Sequence, residues 1–148
     1  MPIASGMTLL DQGIYNALTV SADLLSWCGG KNIYSGQAPA NQSQGYVIYK
    51  KLHGSDENTS PRDAIHSFYL IVAVHTVKMQ AMQGADYIDQ ALTGSDSINP
   101  GISPVLMPGW NVYKVFSGAW YEEMQNVQGV QYWMIGKQYG FMADRCLP

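Results

Sequence analysis

The sequence predicts an α+β domain, a four-stranded, mainly antiparallel sheet with two helices packed on one face. Three observations carry that expectation. Ala64 to His75 is rich in β-branched and aromatic residues and has neither Gly nor Pro, which is the composition of a strand. The period then changes from two to about 3.6, with Val77, Ala81, Ala85, Ile88 and Leu92 on one stripe, which is an amphipathic helix. A second helical stripe opens the chain, and two pairs of strand-like runs are each joined by a polar connection.

In chain order, Leu9, Leu10, Ile14, Ala17 and Leu18 within Thr8 to Trp27 lie on one helical face. Ser21 is a fresh N-cap that divides this helix near Val20 into a long and a short piece, and Gly29-Gly30 ends it. Ser35 to Gly45 is a surface loop of Gln, Ala, Pro, Asn, Ser and Gly. Tyr46 to Leu52 is a strand, and the polar run His53 to Asp63 joins it to the central strand as a long hairpin tip. On that central strand Phe68, Leu70, Val72 and Val74 alternate with Ser67, Tyr69, Ile71, Ala73 and His75, and the first set is expected to face the core. Thr76 is the expected N-cap of the following helix and Gly94 its stop. Thr93 to Gly109 holds three Pro and three Gly and reads as a long loop. Trp110 to Glu123 and Val130 to Arg145 form a second hairpin joined through Met124 to Gly129, with Gly118, Gly136 and Gly140 marking bulges or close backbone approaches.

The 148 residues form one domain, 1–148. Charged residues make up 13%, about half the usual ~25%, so Gln, Asn, Ser, Gly and Tyr must cover much of the exterior. Ten Tyr and four Trp are types enriched where proteins meet, and together these features point to association. A net charge of −3 gives no basic footprint for gripping nucleic acid. Cys28 and Cys146 are the only cysteines and are expected to be reduced thiols. With no basic n-region, apolar h-region or 18-residue apolar run, the expected site of synthesis is a cytosol, without a membrane span.

The catalytic candidates His53, His66, His75, Asp56, Glu57, Asp63, Glu122 and Glu123 make no recognised motif in the sequence. His66 and His75 are nine apart, so on one regular strand they point to opposite faces. His53, Asp56, Glu57 and Asp63 lie in the expected hairpin tip without metal-ligand spacing. Gly29-Gly30-Lys31-Asn32 lacks the earlier glycine of a phosphate loop and follows a helix. The late aromatics, Trp110, Trp120 and Trp133 among them, have no Lys/Arg groove beside them and fit cross-strand packing or a subunit interface. No cofactor or metal is expected, and the chain does not read as an enzyme. Two other readings stay open at this point: a small-ligand-binding α+β domain that dimerises through its sheet, and a metal-dependent hydrolase built on His53, Asp56 and Asp63.

Several stretches also carry a resemblance. They are Ile14-Tyr15-Asn16-Ala17-Leu18, Gly29-Gly30-Lys31-Asn32-Ile33-Tyr34 with Ala38-Pro39, and Tyr46-Val47-Ile48-Tyr49 with its polar tip. The Phe68 to Leu92 unit closed by Ala91-Leu92-Thr93-Gly94, and the terminal Tyr139-Gly140-Phe141, complete the set. In these the chain resembles the tail terminator, or tail-completion, proteins of long-tailed bacteriophages, although Gln44-Gly45 stands where members of that family often carry a Pro. The resemblance implies a non-enzymatic virion protein at the head-proximal end of the tail, made in the host cytoplasm. It implies a homohexameric ring that caps the tail tube and joins it to the head-completion (stopper) protein; a related head-tail joining protein would share the layout. Its partners would be further copies of itself, the major tail tube protein and the stopper, with DNA passing through the lumen without specific binding. On that reading Asp56, Glu57, Arg62 and Asp63 at the first hairpin tip are expected to contact the tube or line the opening.

Overall fold

The computed structural model describes residues 6–37, 45–59, 62–93 and 105–145. The elements run α1 (Gly6–Thr19), α2 (Ala22–Cys28), β1 (Ile33–Ser35), β2 (Tyr46–Thr59), β3 (Arg62–His75), α3 (Lys78–Thr93), β4 (Trp110–Val127) and β5 (Val130–Arg145). The class is α+β as expected, but the sheet has five strands in the order β1-β2-β3-β5-β4, and three helices accompany it. The added strand, β1, pairs parallel with β2, and every other neighbour pair is antiparallel.

Local chemistry sets the helix ends. The Thr19 hydroxyl donates back to the Tyr15 carbonyl at 2.9 Å, and Ser21 accepts from the Leu24 N–H at 3.3 Å, so the chain breaks between α1 and α2 at the expected cap. Gly29 closes α2 in the left-handed region (φ 69°), and the Gly30 N–H reaches back to the Leu25 carbonyl at 2.9 Å. At α3 the cap differs from the expectation. The His75 ring, not Thr76, provides the acceptor: its Nδ1 takes the Val77 N–H at 2.9 Å. Val77 stands half exposed ahead of the helix, and its carbonyl accepts the Ala81 N–H at 3.0 Å. The expected stop at Gly94 lies outside the described residues.

The core lies between the helices and one face of the sheet. Leu10, Ile14 and Leu18 of α1, Leu24 and Cys28 of α2, and Ile88 and Leu92 of α3 pack against Tyr49, Tyr69, Ile71, Ala73, Tyr139 and Phe141. Each fully buried Leu or Ile here contributes about 1.5–3 kcal/mol. The helix-covered face of β3 is therefore Ile65, Ser67, Tyr69, Ile71 and Ala73, the reverse of the face expected from sequence. Small residues explain the choice. Ala73 leaves room for α3 to approach at Gly84, where a Cβ would come within 2.7 Å of the Ala73 Cβ and 2.6 Å of the Trp27 indole. That indole is wedged beneath α3, and its Nε1–H donates to the Gln80 carbonyl at 2.9 Å.

On the other face Val72 and Val74 are buried, as expected, and Tyr46, Ile48, Phe68, Leu70, Met134 and Met142 are half-buried; no helix of the described residues covers this face. Phe116 meets Phe68 edge-on with centroids 6.0 Å apart, and its ring lies over Gly140, where a Cβ would collide with it. At Gly136 the backbone of β5 passes so close to β3 that a Cβ would strike the Ile71 carbonyl.

Two connections read from sequence as loops are strand. β2 and β3 continue through His53–Thr59 and Arg62–Asp63, paired as far as Thr59 with Arg62, so most of the expected tip is strand; residues 60–61 lie outside the described residues. β4 runs on to Val127, and the second hairpin turns on Gln128 and Gly129 alone, both at positive φ (53° and 83°). That two-residue geometry matches the twist of its strands.

Candidate functional site

The groups open to a partner gather on β4, on the far part of β2 and around α3. β4 is the outermost strand, so one side of its backbone has no ladder partner among the described residues. β3 stops following β5 at His75 opposite Trp133, and the β4–β5 hairpin extends past it as an arm with Met124, Val127 and Val130 exposed. The opposite edge is open too. β1 covers β2 only over Val47 to Tyr49, where the Gly36 N–H adds a bond to the Tyr49 carbonyl at 2.9 Å. From Lys50 onward the outer side of β2 has no ladder partner among the described residues.

Between α3 and β4 lies a groove of about 300 Å³, lined by Lys78, Met82, Asp86, Trp120, Tyr121, Glu122 and Ile135. Lysines fix its aromatics. Lys78 bonds Glu122 at 3.1 Å and lies 5.0 Å from the centroid of the Trp133 ring. Lys137 sits 4.4 Å from the Trp120 centroid and 3.4 Å from Asp89 Oδ1, the same oxygen that accepts the Tyr139 hydroxyl at 3.0 Å. Burial, together with the Asp89 charge and hydrogen bond, pushes the Tyr139 phenol well above its ordinary value, so it stays a neutral donor. The neighbouring Tyr121 hydroxyl donates to Glu123, which raises its own pKa.

A second, wider and more polar hollow of about 600 Å³ is lined by Thr8, Asp11, Gln12, Ser35, Gly36, Lys50 and Lys51. Beneath it Tyr69 donates to Asp11 at 3.1 Å, and burial and the Asp11 charge raise that phenol as well. Cys28 is buried with its thiol donating to the Leu24 carbonyl at 2.9 Å, and burial pushes its pKa up, which makes it a packing group and a poor nucleophile.

Of the residues singled out in the sequence, Trp120 is 59% exposed on the groove, whereas Trp110 is 9% exposed and packs within the core. Trp133 is half-buried under Lys78 against Ala81, Ala85 and Ile135. Asp56, Glu57, Arg62 and Asp63 lie on the paired part of the first hairpin, with their side chains outside what is described. His66 and His75 face opposite sides of β3, so the structure does not bring them together. Sequence reasoning passed over Lys50, Lys51, Lys78 and Met82, and weighed Glu122 and Glu123 only as catalytic candidates without a motif. The signal available was charge pairing: Lys50-Lys51 is the chain's one adjacent pair of cations, and Glu122-Glu123 its one adjacent pair of glutamates.

No protein-family model and no curated protein matches the sequence. Among solved structures, the chain is similar to one from the virion of a native gene transfer agent particle, at a TM-score of 0.64 and 16% identity. The match covers 92% of this chain and 93% of that one, so the two share a fold over nearly their whole lengths.

Proposed function

We propose that this protein is a structural component of a virion. In that role it is a tail terminator: a ring of about six copies that caps the finished tail tube, stops its elongation and joins it to the head-completion protein on the portal. It is not an enzyme in this reading. The observation that carries the proposal is the fold shared, almost end to end, with a chain of a gene transfer agent virion. The stretches that resemble tail terminators point the same way.

The surface suits the role. A ring requires two different patches on each copy, since a head-to-tail contact closes only when one patch meets a distinct second one. The sheet has two such edges, β4 on one side and the far part of β2 on the other. The arm, with Met124, Val127 and Val130 exposed, adds apolar surface beyond them. Eight Lys and Arg spread along the chain leave a net charge of −3, which suits a lumen that DNA passes without being held.

Particles assembled without this protein test the proposal. Tails that overrun their normal length and fail to join heads are expected. Tails of normal length attached to filled heads would contradict it.

A further inference from the structure

We infer that neighbouring copies join by continuing the sheet, with the outer edge of β4 in one copy pairing antiparallel with the open part of β2 in the next, in a register fixed by Glu122-Glu123 against Lys50-Lys51. The inference rests on the ring reading above and names its contact.

Strand direction comes first. β2, β3, β5 and β4 alternate in direction, so when two copies stand side by side in the same orientation, β4 of one meets β2 of the next antiparallel. Unpaired edge N–H and C=O groups favour that addition.

Register and face agree with the charges. Lys50 pairs with Leu70 and Glu123 with Met134, both on the sheet face without helices. Lys51 pairs with Tyr69 and Glu122 with Ile135, both on the helix-covered face. Placing Lys50 opposite Glu123 therefore places Lys51 opposite Glu122, with each opposite-charge pair on a common face. A slip of one residue would send every side chain to the wrong face. All four residues are exposed.

One irregularity in each strand also offsets the other. β2 skips Leu52 in its ladder, and between Ser117 and Trp120 β4 has two residues, Gly118 and Ala119, against one of β5; the other shift of β4, between Val112 and Lys114, lies beyond that stretch. With each skip counted once, the pairing carries on in phase from Lys51 with Glu122 to Asp56 with Ser117. It sets the exposed Trp120 across from Gly54. The same arrangement already exists within the molecule, where Phe116 lies over its cross-strand partner Gly140.

The test uses the full-length chain. E122K/E123K should weaken self-association by about tenfold or more, K50E/K51E should do the same, and the combined four-residue swap should restore it, as opposite-charge pairs across strands require. Under mild oxidation the K51C/E122C variant should give a ladder of linked multimers on a non-reducing gel, while each single Cys variant, which still carries Cys28 and Cys146, should not. Three results overturn the pairing. An assembled wild type that is indifferent to the swaps and gives no ladder removes this contact and leaves the ring standing. Efficient linking of E122C alone means β4 pairs with β4 in a closed dimer. A wild type that stays monomeric at high concentration removes both the contact and the ring.

Discussion

Asp89 joins the interior of the fold to the groove, and its removal has a cost that follows from its contacts. One carboxylate oxygen accepts the Tyr139 hydroxyl at 3.0 Å and faces Lys137 at 3.4 Å. Tyr139 is 1% exposed, so Asp89→Ala leaves a buried phenol without its acceptor, at about 1–3 kcal/mol. Lys137, whose side chain is 16% exposed, also loses its counter-ion, for roughly 0.5–1 kcal/mol more. The sum is about 3 kcal/mol, or about 6–12 °C of melting temperature for a chain of this size. Tyr139→Phe removes only the hydroxyl and leaves the ion pair, so it should cost about 1.5 kcal/mol. Urea denaturation of both variants and of the double variant, at one low protein concentration so that assembly does not contribute, yields the coupling directly. A coupling of about 1–2 kcal/mol is expected. An Asp89→Ala variant within about 0.5 kcal/mol of wild type, or a coupling near zero, would refute this account of the contact.

Two further perturbations test the packing and the helix cap. Gly84→Val should push α3 off Trp27 and Ala73 and cost about 3 kcal/mol or more, read as a lower urea midpoint together with a red shift of tryptophan emission; unchanged stability would mean that the close approach at Gly84 is not needed. Acid should loosen the start of α3. Burial lowers the His75 pKa below its ordinary 6.5, and its Nδ1 must be unprotonated to accept the Val77 N–H. The unfolded chain therefore binds that proton first, and this part of the stability is complete above about pH 6.5 and drains away as the pH falls through the lower folded value. Melting curves from pH 7.5 to 5 should show the decline in wild type and a shallower one in His75→Gln; identical slopes would contradict the cap.

Much of the fold was legible because local signals and tertiary packing agree. Ser21, Gly29 and the change of period after His75 mark real boundaries, since each acts through its own backbone within a turn. The errors fall where a partner strand decides. β1 is three residues long and exists through its parallel pairing with Val47 to Tyr49, so no periodicity could reveal it. His53 to Thr59 is rich in residues that strands avoid, yet the ladder with β3 carries it along, and the same holds for Met124 to Val127 against β5. The two faces of β3 are both apolar, and the fit of Gly84 and Trp27 against Ala73, a contact between distant parts of the chain, favours the helix-bearing side. The candidate site was hidden for a related reason. In the sequence Lys50-Lys51 is part of a strand and Glu122-Glu123 a pair of catalytic candidates without a motif, and their correspondence emerges only once both strands are known to be edges of one sheet.

The proposal that this protein closes into a virion ring is tested most directly by the mass of the purified full-length chain in native mass spectrometry, with the same sample imaged by electron microscopy. The account predicts a species near six times the mass of one chain, with end-on views showing an open centre. A single mass equal to one chain, or to two, across the whole concentration range would contradict it.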